Sequence, residues 1–269
     1  MCSTIEQSSR RDSAGWRGRV LLWEDFGLFI GNAGLAELHE SPAIKVCIAL
    51  DGQFGLRSAD GQTWRDHVAA LVPAGVRHAI RGNGVAMAML LIAPEGEFGR
   101  MLFGSANTDH IVPIDNDPVP RLREAFCGLS GDEAASTTAM RSAVEMIASM
   151  SAGQGRHDID PRVLQSIEWI RAGRESGILV KDIAAEVDLS ESRFSHLFSE
   201  HVRVPVRRYL LWLRLRDVLH LLASTGSLTE AAHEAGFADS AHLSRTFRSA
   251  LGIAPTDLTR ESSLTSFLR

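Results

Sequence analysis

Hydrophobic positions along the 269-residue chain follow one period early and another late. From residue 18 to about residue 115, short apolar runs such as Ala43–Leu50 (AIKVCIAL), Ala69–Val72 (AALV) and Val85–Ala93 (VAMAMLLIA) alternate with turn signals. Those signals are Asp51-Gly52, Asp60-Gly61, Pro73-Ala74-Gly75 and Gly82-Asn83-Gly84. Closely spaced short strands of this kind predict an all-β barrel or sandwich of the jelly-roll type. After Asp115-Asn116-Asp117-Pro118 the period turns helical over Val119–Phe126 and Glu133–Met150. The second segment carries an apolar stripe at Met140, Val144, Ile147 and Met150, which needs a partner in the β domain or in a second copy of itself. Ser151–His157 (SAGQGRH) reads as a flexible linker. Asp160-Pro161 then supplies an N-cap and a first-turn proline, opening a helix to about Ala172.

The last third holds one helix-turn-helix pattern used twice. The first copy runs from Asp182 to Val187, turns, and continues from Ser190 to Phe198 (SESRFSHLF). The second runs from Thr229 to Ala235, turns at Gly236-Phe237, and continues from Asp239 to Phe247 (DSAHLSRTF). Ala184 maps onto Ala232 with a shift of 48, and Phe198 onto Phe247 with a shift of 49, so the second turn is one residue longer. A repeat that keeps its apolar register across a turn is one supersecondary unit used twice. In the first copy Ser190 is a natural N-cap, Phe194, Leu197, Phe198 and Val202 share one face, and Ser192, Ser195, His196 and Ser199 share the other. In the second copy Asp239 caps, Leu243, Phe247 and Leu251 point inward, and Ala241, His242, Ser244, Arg245 and Arg248 point out. Short polar residues with arginine suit a major groove, where serine reaches base or phosphate and arginine bonds a guanine edge with two hydrogen bonds. Between the copies, Val206–Ala223 forms a bridging helix roughly 27 Å long, close to the ~34 Å of one DNA turn. Arg207 and Arg208 at its start are placed to meet phosphate.

Charge does not oppose this reading. The net charge is −5, yet the residues from Asp160 onward carry 14 Lys and Arg against 14 Asp and Glu, so the whole acidic excess lies earlier. Arg193, Arg203, Arg207, Arg208, Arg214 and Arg216 share their stretch with Glu200 as its single acid, and phosphate binding follows such local fields. Cys2, Cys47 and Cys127 are odd in number and far apart, which suits reduced thiols better than disulfides or zinc. The polar first residues show no secretory signal and no apolar run reaches the ~20 residues of a membrane span, so a cytoplasmic protein is expected.

The last 90 or so residues resemble the C-terminal domain of AraC/XylS-type transcription regulators. The residues that carry the likeness are Ile183-Ala184, Leu189-Ser190, Phe194, Phe198, Pro205, Tyr209, Arg214-Leu215 and Leu221-Leu222, then Ala235-Gly236-Phe237, Phe247-Arg248, Gly252 and Pro255. The resemblance implies two recognition helices in successive major grooves, with base contacts at Ser192, Ser195 and His196, then Ala241, His242, Ser244 and Arg245. The chain departs from the pattern at Asp188 and Arg203, where glycine is usual, and at Leu258, where an aromatic is common. With His196 in place of a long Arg or Gln, the first unit is expected to read bases less sharply than the second.

Pro73-Ala74-Gly75-Val76-Arg77-His78 resembles the second motif of cupin barrels, a domain that often precedes the DNA-binding half in this family and binds effector or partner. A metal-dependent cupin enzyme needs a His-x-His pair with a carboxylate, whereas this chain offers His39-Glu40-Ser41. His39, His67 and His78 therefore read as satisfied or surface histidines rather than ligands, and Cys47 as a small core residue. No Ser/His/Asp elbow, P-loop or dinucleotide fingerprint is present. The expected fold is α+β, with a cupin-like domain over 18–150, a linker over 151–158 and an all-α DNA-binding domain over 159–269. The expected function is sequence-specific transcription regulation, most simply activation, without enzymatic activity, metal or cofactor. Its expected partners are double-stranded DNA, RNA polymerase, a small organic effector in the β domain and a second copy of the chain. Control by a docking protein, or a cupin enzyme fused to a DNA-binding module, are the alternatives.

Overall fold

The computed structural model describes residues 15–58, 63–114, 117–127, 129, 132–150, 158–173 and 178–267. The Asp60-Gly61 turn and the Ser151–His157 linker lie outside the described residues. Ten strands come first: β1 Arg17–Leu22, β2 Phe26–Asn32, β3 Leu35–Glu40, β4 Ile44–Ala49, β5 Phe54–Arg57, β6 Arg65–His67, β7 Ala69–Val72, β8 Arg77–Arg81, β9 Ala86–Ile92 and β10 Val112–Pro113. They form a seven-stranded sheet in the order β10-β7-β4-β9-β2-β1 plus a late strand, and a four-stranded sheet β3-β8-β5-β6. Val20, Phe29, Cys47 and Met89 of the first sheet meet Phe54, Leu56 and Ile80 of the second, so the two pack as a sandwich. The run AIKVCIAL shows no simple alternation because both its faces are covered. Cys47 and Ala49 enter the sandwich, while Ile44, Val46 and Ile48 meet a helical layer on the outside.

That layer consists of α1 Glu97–Ala106, α2 Val119–Phe126 and α3 Glu133–Ser149. Met140, Val144 and Ile147 of α3 are buried with Leu122 and Phe126 of α2 against Leu28, Val46 and Leu90. Met140, Val144 and Ile147 of the stripe read in the sequence thus find their partner in the β domain while Met150 stays exposed, and a dimer through Glu133–Met150 would have to use the other face of α3. Helix α1 was not anticipated within the strand region. Its sequence EFGRMLFGSA is a weak helix former, and burial of Phe98 and Leu102 on the sheet decides its conformation. Gly99 permits the approach: a Cβ there would lie 2.2 Å from the carbonyl oxygen of Ala93.

The helical part contains α4 Pro161–Ala172, α5 Val180–Glu186, α6 Glu191–Val202, α7 Val206–Thr225, α8 Leu228–Glu234, α9 Ser240–Leu251 and α10 Pro255–Thr259. The predicted caps are in place. Asp160, Ser190 and Asp239 accept from the backbone N–H of Arg162, Arg193 and His242. The first helix-turn-helix unit, α5–α6, closes its own core with α4: Ile167, Ile183, Phe194 and Phe198 gather with Val206 and Tyr209 of α7. The second unit, α8–α9, has no separate core. Ala232, Leu243 and Phe247 join Trp212, Leu215 and Leu219 of α7 in one cluster with Trp16, Val20 and Phe29 of the sandwich.

The chain then returns to the β domain. Strand β11 Ser262–Ser266 pairs in parallel with β1, from Gly18 opposite Ser262 to Leu22 opposite Ser266, and completes the large sheet. The segment expected to form a self-contained DNA-binding domain over 159–269 is therefore bound to its neighbour by a strand and a shared core. No period-2 hydrophobic pattern in SSLTS marks this strand, because its pairing is supplied by a distant edge. A truncation ending at Arg260 is expected to unfold at a temperature several degrees lower than the full chain and to bind a hydrophobic dye, since it uncovers the β1 edge. Differential scanning calorimetry with dye titration checks this. Equal melting temperatures would mean that β11 contributes nothing to the fold.

Candidate nucleic-acid interface and interdomain site

On α6, Phe194, Leu197, Phe198 and Val202 are buried, Ser192, Arg193 and His196 are exposed, and Ser195 and Ser199 are half-buried. On α9, Leu243, Thr246 and Phe247 are buried, Ala241, Arg245 and Arg248 are exposed, and His242 and Ser244 are half-buried. The His242 ring stands edge-on to Phe237 at 5.3 Å, which ties it to the turn and leaves Arg245 and Arg248 as the long exposed donors of this face. The two departures from glycine sit where the backbone demands it: Asp188 and Arg203 have φ of 54° and 64°. Such left-handed residues cost roughly 1–2 kcal/mol each, so the first unit keeps its turn geometry against a local penalty, whereas the second has Gly236 and Gly252 at its left-handed positions. Helix α7 holds the units apart with 20 residues, about 30 Å.

The basic field is thinner than the sequence suggests. Arg207 is exposed, 3.9 Å from Glu191, and remains available to phosphate. Arg208 instead pairs with Glu40 of β3. Arg216 is buried, turned away from solvent toward the sandwich. On α4, Arg171 reaches Asp25 at 2.6 Å and Glu95 at 3.0 Å, and the Tyr209 hydroxyl donates to Glu95 at 2.5 Å. Burial and the Glu95 carboxylate both raise the Tyr209 hydroxyl, so it stays a donor. The backbone N–H of Glu37 donates to the carbonyl of Gly252, the C-cap of α9, at 2.7 Å. A Cβ on Gly252 would fall 2.5 Å from both the Glu37 oxygen and Nδ1 of His39, so recognition helix and β3 touch backbone to backbone.

Between the domains lies an apolar cavity of about 80 Å³, lined by Trp16, Phe29, Met89, Trp212, Leu219 and Ile253 with Lys45 and Arg216 among them. Arg216 and His220 also line a cleft of about 1060 Å³ between α4, α7, α8 and β11. Nε and Nη1 of Arg216 are buried without a hydrogen-bond partner, an arrangement expensive enough to need a purpose. Inside the sandwich, Lys45 Nζ contacts Nε2 of His39 and lies 3.0 Å from Nε2 of His78. Each imidazole uses Nδ1 on a backbone carbonyl, that of Glu37 at 2.7 Å and Val76 at 2.8 Å. Nδ1 therefore carries the hydrogen in both rings and Nε2 accepts. Burial lowers Lys45 to about 7 and, with the adjacent Lys45, lowers His39 to about 2 and His78 well below its usual value. The histidines are satisfied side chains in the sense expected from the sequence, and burial lifts the Cys47 thiol to about 12, as befits a core residue.

The helix-turn-helix domain family matches residues 183–261. The transcriptional activator RhaS of Salmonella arizonae is 31% identical over 106 residues, covering 39% of this chain and 38% of that protein. The transcriptional regulator GbdR of Pseudomonas aeruginosa is 31% identical over 98 residues, covering 36% and 27%. The C-terminal part of this chain is an AraC-type helix-turn-helix domain. The chain spans well under half the length of these curated relatives. Beyond the AraC-type domain the likeness is one of fold: ToxT of Vibrio cholerae superposes with a TM-score of 0.60 at 13% identity, covering 88% of this chain and 99% of ToxT. ToxT shares the arrangement of a sheet-rich domain followed by a helical one, and it has also been solved with an unsaturated fatty acid bound.

Sequence reasoning placed the exposed faces of the AraC-type domain but missed Lys45, Glu95, Arg171, Tyr209 and Arg216. Two of these had a signal. Lys45 is a lone charge in an apolar strand, and Arg216 stands four residues after Trp212 and three before Leu219, on the buried face of α7. The histidine pair yields a pH test. Their folded values are depressed, so their contribution is present above about 6.5 and is lost as pH falls and the unfolded chain takes up protons that the fold does not. Between pH 7 and 5.5 the pair is expected to cost about 2–3 kcal/mol of stability, read by urea unfolding. Replacing both histidines with Gln should flatten that slope, and a wild-type midpoint that does not move would refute the buried neutral assignment.

Proposed function

We propose that this protein is a sequence-specific DNA-binding transcription regulator whose tandem units read two successive major grooves. The observation that carries this reading is the pair of capped recognition helices, α6 and α9, presenting short polar and arginine side chains outward and joined through α7, itself about 30 Å long. The relation to RhaS and GbdR supports regulation rather than catalysis, and the name of RhaS supports activation, with RNA polymerase as the protein partner. A cytoplasmic site of action fits, since among the described residues no helix is long and apolar enough to cross a membrane. Ser192, Ser195 and His196 form the weaker reading face. Ala241, Ser244 and Arg245 form the stronger one, with Arg248, Ser199 and Arg207 toward phosphate. His242 is braced on Phe237 and Arg208 on Glu40, so in this reading the first positions the turn and the second holds the domains together. Dimerisation through the outer face of α3 completes the assembly.

Control resides in the interdomain cavity. The ligand we infer is a small apolar acid, its carboxylate paired with the uncompensated Arg216 guanidinium and its tail among Trp16, Phe29 and Trp212. The fatty acid held by ToxT supports this class, while a cavity of about 80 Å³ restricts the buried part to a short tail unless the domains separate.

For DNA reading, Arg245→Ala is expected to cost about 1–3 kcal/mol on the specific site and to relax preference at one or two base pairs. Arg207→Ala should weaken specific and random DNA alike and flatten the salt slope by about one unit. Binding to single-base site variants at two salt concentrations separates the two. An equal loss on every sequence for Arg245→Ala would show that α9 is not the reader.

For the ligand, hexanoate is expected to raise the melting temperature of the wild type and its methyl ester to leave it unchanged. Arg216→Met should be more stable than the wild type without ligand, because a buried unpaired charge has been removed, and blind to hexanoate. A shift of the same size in the variant and the wild type would eliminate Arg216 as the anion site.

A further inference from the structure

The geometry points to Lys45 as a reactive amine that captures an aldehyde as an imine, making the β domain a covalent sensor of carbonyl compounds. The inference takes the interdomain cavity as the ligand site proposed above and adds a second chemistry at its other cation.

Hydrogen-bond accounting carries the argument. Lys45 is 1% exposed. Its Nζ faces two acceptors, the Nε2 atoms of His39 and His78, each fixed as an acceptor because its Nδ1 donates to a backbone carbonyl. A neutral amine has two hydrogens and one lone pair. Both hydrogens find partners here and the lone pair stays uncommitted, whereas an ammonium would leave its third hydrogen buried and unmatched. The other titratable group on the same strand face is the Cys47 thiol, which burial keeps protonated. The neutral form is thus the one this pocket accommodates, and burial brings Lys45 down to about 7.

Composition supports the choice of residue. The chain has two lysines, Lys45 and Lys181, against 26 arginines. Where it needs a fixed charge it uses arginine. Lysine is the cation that can give up its proton when buried and act as a nucleophile. Lys45 lines the apolar cavity, whose size admits a short aliphatic aldehyde.

The chemistry balances without a cofactor. The Nζ lone pair attacks the carbonyl carbon, and an imidazole Nε2 takes a proton from the nitrogen and delivers it to the oxygen. The carbinolamine then loses its oxygen as water, which carries off both amine hydrogens, and a C=N bond remains. Capture therefore removes the two hydrogens that His39 and His78 had accepted. His39 packs against Gly252 at the end of α9, so the recognition helix is the first element outside the sandwich to register the change.

The test needs no variant. The full-length protein is incubated at pH 7 with butanal and cyanoborohydride, which freezes an imine as a secondary amine, and the butylated lysines are mapped by mass spectrometry. Lys181 is exposed and serves as the internal reference. Lys45 is expected to be labelled roughly tenfold faster or more than Lys181, because an amine in water is held as ammonium at neutral pH. In urea the two should be labelled at similar rates. Folded protein in which Lys181 is labelled and Lys45 is not would end the proposal. DNA binding of the labelled protein tests the reading beneath it. Preferential labelling of Lys45 with unchanged DNA affinity would uphold the capture and overturn control through the cavity.

Discussion

Helix α7 must be buried on more than one side, and the rest of the molecule is arranged around that constraint. Val206 and Tyr209 close the core of the first helix-turn-helix unit, while Trp212, Leu215 and Leu219 enter the cluster formed by the second unit and the sandwich. Its buried residues point in several directions, so between its exposed ends, Arg207 and Arg208 at the start and Ser224 and Thr225 at the finish, it needs partners on more than one side. The two units therefore cannot be placed independently: the beam that spaces them is also the beam by which the β domain holds them.

Burial of that beam explains the ionic contacts around it. Charges drawn into an interdomain core must be paired, and Arg171 with Asp25 and Glu95, and Tyr209 with Glu95, provide pairs there from both domains, while Arg208 with Glu40 adds one at the surface. Arg216 departs from this economy, with two buried donors unmet. Nε of Arg171, Oε2 of Glu95 and the indole N–H of Trp212 nearby are also buried without a partner, but Arg216 is the one group there with two such donors.

The two recognition helices differ in what holds them. The α6 unit has its own core with α4 and meets the sandwich chiefly through α7 and the ion pairs of Arg171 and Arg208. The α9 unit is continuous with the sandwich core and touches β3 through Gly252 and Glu37. A displacement inside the β domain thus reaches α9 directly and α6 at one remove.

Much of this was legible in the chain because it is local. Strand and turn alternation, the helical stripe of α3, the caps at Asp160, Ser190 and Asp239, and the repeat that placed α6 and α9 are all set by residues within a few positions of one another. The left-handed turns at Asp188 and Arg203 were marked as departures from glycine, and the backbone adopts the glycine-like conformation there. What the sequence left open depends on partners far away. SSLTS becomes a strand because the β1 edge is free, α1 becomes a helix because a sheet lies beneath it, and Arg216 becomes a buried charge because the sandwich covers its side of α7. Lys45 meets His39 and His78 only when β3, β4 and β8 face one another across the sandwich. Local periodicity thus determined the elements and the outward faces of α6 and α9. The long-range closing of sheet upon sheet and helix upon sandwich decided which charged side chains lost their water, because burial depends on partners that no local stretch of sequence contains.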